Sequence, residues 1–157
     1  QQPRDDGAAH AHAQDPRLVQ ICHDHRLGIL QMPCPEIQAL GFSRKRAPGR
    51  SIRDALNDGA CVDRCQRLTQ DIAARIDAYL DQGYTLVAVL GGNPQSPGCA
   101  VHQGSGGLDE RSGLLMRQLE CELRRRGHAP RFLSVRDHDP ELHRIDLAAL
   151  ESLLART

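Results

Sequence analysis

Excess charge of either sign is missing from this chain of 157 residues, in which twenty basic and twenty acidic side chains cancel. No field over the whole molecule therefore recruits nucleic acid or an anionic membrane. Long apolar runs are missing too. None approaches the roughly 20 residues needed to span a bilayer, and no secretory leader is recognisable. The expectation is a soluble, cytoplasmic protein. Lysine is nearly absent: Lys45 stands against nineteen arginines, a bias that points to codon composition and says little about mechanism. One basic cluster remains, Arg44, Lys45, Arg46, Arg50 and Arg53, and such a run reads as a solvated loop face.

What is present is enough chain for one domain with a real core, and six cysteines: Cys22, Cys34, Cys61, Cys65, Cys99 and Cys121. Without an export signal, they argue against a disulfide framework and for metal-binding, catalytic or buried thiols. Position must sort them.

Residues 1–14 have no apolar periodicity and read as a loose end in which His10 and His12 are solvated. Asp15-Pro16 is an N-cap followed by proline at the first helical position, and Leu18, Ile21 and Cys22 continue at helical spacing to a stop at Gly28. Ile29–Met32 reads as a short strand. Residues 41–59 read as a polar loop, a lid over a crevice, with one helical turn at Ile52–Leu56. Cys61, Cys65, Leu68, Ile72, Ile76 and Tyr79 recur every three or four residues up to Gly83, so both cysteines are expected to pack on the inner face of a long helix. The apolar run Tyr84–Leu90 is a central strand. Ser112 is a candidate cap for a helix through Leu115, Met116, Leu119 and Leu123 that stops at Gly127. Phe132–Val135 is a third strand, and Asp146 opens a last amphipathic helix through Leu147, Leu150 and Leu154. Alternating strands and helices predict an α/β fold with a small parallel sheet and helices on both faces.

Two cysteines stand apart because each follows a strand in a proline-bracketed turn. They are Cys34 in Met32-Pro33-Cys34-Pro35-Glu36, and Cys99 in Ser96-Pro97-Gly98-Cys99. In an open α/β sheet the carboxyl ends of the strands form the ligand crevice, so thiols delivered there are placed for chemistry. Two cysteines cannot alone satisfy zinc or an iron–sulfur cluster. Four readings stay open on the residues alone: a metal cluster with further ligands, zinc with a histidine such as His102, an anion cradled by the glycine-rich stretch 91–107, and buried turn cysteines with Glu36 capping a short helix.

PCPE after one strand, GGNPQSPGC after another, and then SGLLMRQLECELRRRG together resemble the thiouracil desulfidase (TudS) family, specifically its TudS-related branch, over nearly the whole chain. The resemblance implies a Rossmann-like three-layer sandwich spanning 1–157 as a single domain. It also implies a four-iron four-sulfur cluster on three cysteines with one iron left open. Cys34 and Cys99 match two of those ligands. By the same pattern the first strand and first cysteine fall ahead of Gln1, so that a chain starting there is expected to lack one ligand and one strand. Glu36 matches an acid/base or water-orienting carboxylate and Ser96 a substrate-positioning hydroxyl. The implied reaction is non-redox hydrolysis of a C=S bond in a small thiolated compound such as a thionucleobase, with sulfur passing to the cluster. Two departures bear on the substrate: Gly98 and Ala100 replace a serine and a glycine around Cys99, and Asn93 replaces a common lysine.

Overall fold

A computed structural model describes residues 15–156, so His10 and His12 lie outside the described residues. The chain opens on α1 (Pro16–Asp24), where the Asp15 carboxylate accepts from the Arg17 and Leu18 amides and proline sits in the first turn. That cap and proline satisfy or remove the N–H groups a helix start leaves free. Cys22 is buried on this helix, as its spacing predicts.

The expected strand at Ile29–Met32 does not form. Ile29 is 61% exposed and Leu30 37%, and only Met32 reaches the main core. A strand needs a neighbour for its N–H and C=O groups, and among the described residues none lies beside this segment. Next come α2 (Pro35–Leu40) and α3 (Ile52–Leu56), the latter closed by a reciprocal capping box between Ser51 and Asp54. The long helix α4 (Gly59–Asp81) buries Cys65, Thr69, Ile72, Ala73 and Ile76, one stripe at three- and four-residue steps. Cys65 is thus core; Cys61 is half-buried one turn earlier.

Strand β1 (Ala88–Gly91) is shorter than the apolar run that contains it. Its partner β2 (Arg131–Ser134) is equally short, and Tyr84 at the start of the run is 65% exposed. The two strands are parallel, with Ala88 opposite Arg131, Val89 opposite Phe132, Leu90 opposite Leu133 and Gly91 opposite Ser134. Side chains alternate across a strand, and accordingly Val89 and Phe132 enter the core formed with Ile72 and Ile76 of α4 and with Leu115, Met116, Leu119 and Leu123 of α5 (Leu114–Arg125). Each fully buried leucine there contributes about 1.5–3 kcal/mol. Both α4 and α5 are followed by a glycine in the left-handed region, Gly83 at φ 84° and Gly127 at φ 86°, where a Cβ would be strained.

The last helix starts earlier than its apolar pattern suggests. Helix α6 (Pro140–Leu154) is capped by Asp139, whose carboxylate accepts from the Glu141 and Leu142 amides. Asp146 is instead a buried side chain of the mid-helix, paired bidentately with Arg136 at 2.8 and 2.5 Å just past β2. His143 Nε2 and Asp15 Oδ2 lie 2.6 Å apart and tie α6 to the start of α1. The architecture is mixed helix and strand around a two-stranded parallel sheet, compatible with the α/β class. Among the described residues no helix is long and apolar enough to cross a membrane.

Candidate functional site

The carboxyl end of β1 runs straight into the turn that carries Cys99. The Gly92 amide donates to the Cys99 carbonyl at 3.0 Å, and a Cβ on Gly91 would stand 2.6 Å from that same oxygen. The turn is therefore folded tightly back on the strand. Ser96 organises it from inside: its Oγ accepts from the Gly98 amide at 3.3 Å and the Cys99 amide at 3.1 Å. This side-chain-to-backbone pattern is how serine fixes a turn.

Helix α5 holds the turn from below. The amides of Gly113, Leu114 and Leu115, free donors at a helix start, donate to the carbonyls of Ala100, Pro97 and Gly98 at 2.9, 3.0 and 3.1 Å. So close an approach needs glycine at the N-cap, because a Cβ on Gly113 would lie 2.3 Å from the Gly98 carbonyl carbon. Ser112 does not cap this helix with its side chain. It is fully buried, and its Oγ instead accepts from the His102 amide at 2.9 Å and donates to the His102 carbonyl at 3.0 Å.

The Cys34 turn meets the Cys99 turn directly. Cys34 is the N-cap of α2, and Pro35 its first residue. Pro35 packs on Gly98 so closely that a Cβ there would be 2.4 Å from its ring. One residue further, Glu36 is 8% exposed, and its Oε1 accepts from Ser96 Oγ at 3.3 Å. Its Oε2 accepts from Arg44 Nε at 2.7 Å. Four side chains that the sequence singles out (Cys34, Glu36, Ser96 and Cys99) thus come from two touching turns. Protein-family models, curated proteins and solved structures all yield no match to this chain.

Burial raises the Cys99 pKa, opposed by the hydrogen bond to Ser96 and reinforced by the nearby Glu36 carboxyl. Its S–H donates to Ser96 Oγ at 3.1 Å. A neutral thiol here is a resting form that a bound cation would reverse, since metals take thiolates. The pKa of Cys65 is pushed up to about 11, first by burial, and that thiol sits in apolar packing against Leu56 and Leu114. Cys121 is exposed on α5.

His102 Nε2 lies 2.8 Å from the Pro94 carbonyl oxygen, a contact that leaves Nδ1 as the ring nitrogen a metal could take. Three amides at the start of α5, the natural donors for an anion on the glycine-rich stretch, are bonded to the turn itself. The basic run is also more than a solvated face. Arg46 donates to the Arg50 carbonyl at 2.8 Å, and Arg50 grips Asp58 at 2.7 and 2.9 Å. Arg44 is 4% exposed, the member of the site that sequence reasoning missed.

Among the described residues no three His, Cys, Asp or Glu side chains converge as a metal site. Two thiols suit a thiophilic metal group only as part of its ligand set.

Proposed function

We propose that this chain forms the α/β domain of an iron–sulfur-dependent desulfidase, a Rossmann-like three-layer sandwich that acts in the cytoplasm on a small thiolated compound of the thionucleobase kind. The observation that carries this reading is the union of the two cysteine turns: Pro35 is seated on Gly98, and Glu36 is bonded to Ser96, which in turn holds Cys99. Contacts between residues 60 and 63 positions apart in sequence bring the two cysteine-bearing segments together. Cys34 and Cys99 would hold a four-iron four-sulfur cluster together with a third thiolate from outside the described residues.

A bound cluster with one open iron supplies a Lewis acid for the thiocarbonyl sulfur. The protein's own part is proton management and positioning. Glu36, held by the Arg44 guanidinium, orients a water toward the carbon that bears the sulfur. Its Oε1, which accepts from Ser96 Oγ at 3.3 Å, takes a proton from that water as the new C–O bond forms. The C=S bond becomes C=O, sulfur departs as sulfide, and one water is consumed, so no electron acceptor is needed. Ser96 keeps Glu36 and the Cys99 turn in register.

The test is conversion of 2-thiouracil to uracil by protein reconstituted anaerobically with iron and sulfide. The parent protein should release uracil and sulfide in equal amounts. Glu36→Gln should keep the iron and lose about 10²- to 10⁴-fold in turnover, the usual effect of removing a general base. Turnover near the parent level in Glu36→Gln would show the carboxylate to be structural, and no turnover by the reconstituted parent on any thionucleobase would refute the reading.

A further inference from the structure

Resting on the desulfidase reading of this same site, we infer that Arg44 is its positioning residue: it fixes the Glu36 carboxylate so that Glu36, Ser96 and Cys99 stand in one file. The contacts run from Arg44 Nε to Glu36 Oε2 at 2.7 Å, from Ser96 Oγ to Glu36 Oε1 at 3.3 Å, and from Cys99 Sγ to Ser96 Oγ at 3.1 Å. Arg44 thus bonds one oxygen of the Glu36 carboxylate and Ser96 the other.

Three features separate this assignment from a plain structural ion pair. Both partners are buried, Arg44 at 4% and Glu36 at 8% exposure, and a buried charge pair is a weak device for stability compared with apolar packing of the same volume. The Arg44 backbone has φ 46°, in the left-handed region that disfavours any side chain but glycine, asparagine or aspartate. Strain of this sort persists where the surroundings over-determine it, and it concentrates at functional sites. The surroundings do determine it: the Arg44 amide donates to the Gly41 carbonyl at 3.0 Å, Nη1 donates to the Phe42 carbonyl at 3.3 Å, and the Arg44 carbonyl accepts from Arg46 Nη1 at 3.1 Å. The loop after α2 is thus wound so that one arginine turns inward to the carboxylate.

The experiment has a readout that needs no cluster. In the unloaded protein, iodoacetamide alkylation of each cysteine is followed by peptide mapping for the parent, Arg44→Lys and Arg44→Gln, each also combined with Glu36→Gln. Arg44→Gln should change the alkylation rate of Cys99 about 2- to 10-fold, the effect of one typical hydrogen bond lost along the file. Arg44→Lys should return the rate part of the way to that of the parent. Cys65, buried at 1% exposure in the helical core, should react at its parent rate, and in the Glu36→Gln background Arg44→Gln should add nothing. An unchanged rate at Cys99, an equal change at Cys65, or an undiminished effect once Glu36 is replaced would overturn the assignment. In reconstituted protein, Arg44→Gln should lower kcat about 10- to 100-fold with KM unchanged, as for other groups that orient an acting residue; a change confined to KM would overturn it. Absence of turnover in the parent would refute the desulfidase reading instead, and the alkylation pattern would then decide on Arg44 by itself.

Discussion

Replacing Gly113 by alanine tests whether α5 is the platform of the Cys99 turn. Gly113 has φ −64° and ψ 149°, ordinary extended backbone, so glycine is needed there for space and not for conformation. A Cβ would lie 2.3 Å from the Gly98 carbonyl carbon and 2.4 Å from the Cys99 nitrogen, where ordinary contact begins at 3.4 Å. Helix and turn must then part by about 1 Å, too far for the 3.0 and 3.1 Å bonds from Leu114 and Leu115 to survive. Two hydrogen bonds at about 1 kcal/mol each and about 1–3 kcal/mol of overpacking are partly offset by about 0.4–1 kcal/mol from a stiffer unfolded chain. The net is a loss of about 2–4 kcal/mol. For a domain of this size that lowers Tm by about 5–15 °C, which circular dichroism resolves. Gly59→Ala is the control: it lies in the first turn of α4 with nothing within 4 Å of its built Cβ, and should be neutral or slightly stabilising. A Gly113→Ala protein that melts with the parent would refute the close seating of the turn on the helix.

Two further predictions concern stability. Glu122 is held down to about 2 by Arg125 first and Arg126 second, below its unfolded value, so its contribution is complete above about pH 4.5 and lost as pH falls toward 2. Glu122→Gln should therefore destabilise most near neutral pH and converge with the parent in acid, and high salt should weaken the effect because Arg125 is 68% exposed; a pH-independent difference in urea midpoints would contradict the pairing. Asp139→Ala, which removes the cap from Glu141 and Leu142, should lower stability by about 0.5–2 kcal/mol, and an unchanged denaturation midpoint would show the cap to be dispensable.

Local signals made much of the fold legible. The Asp15-Pro16 cap, the helical turn at Ile52–Leu56 and the long stripe of α4 each rest on signals within a few residues, and each element formed where those signals lie. The start of α6 carries the same Asp-Pro signature at Asp139-Pro140, but the apolar pattern draws the eye to Asp146. Its true partner, Arg136, is ten positions away, and such a distance has no periodic trace. Ile29–Met32 has strand composition, yet a strand is a property of two segments, and composition alone cannot supply the second. At the site, proline and glycine around Cys99 signalled a turn, and the turn is there; Cys34 stands in extended backbone as the N-cap of α2. Arg44 escaped notice because it stands among other basic residues that reach solvent; only the left-handed backbone at that position, invisible in composition, turns it inward.

The central claim is that the two turns make one metal-binding site while the helical cysteines do not. Iron and acid-labile sulfide measured after anaerobic reconstitution of the parent and of single Cys→Ser variants test it most directly. Cys34→Ser and Cys99→Ser should each lose most of the bound iron and the associated visible absorbance, whereas Cys61→Ser and Cys65→Ser should retain both. Full iron content in Cys34→Ser or Cys99→Ser, or an equal loss from Cys61→Ser or Cys65→Ser, would contradict the account.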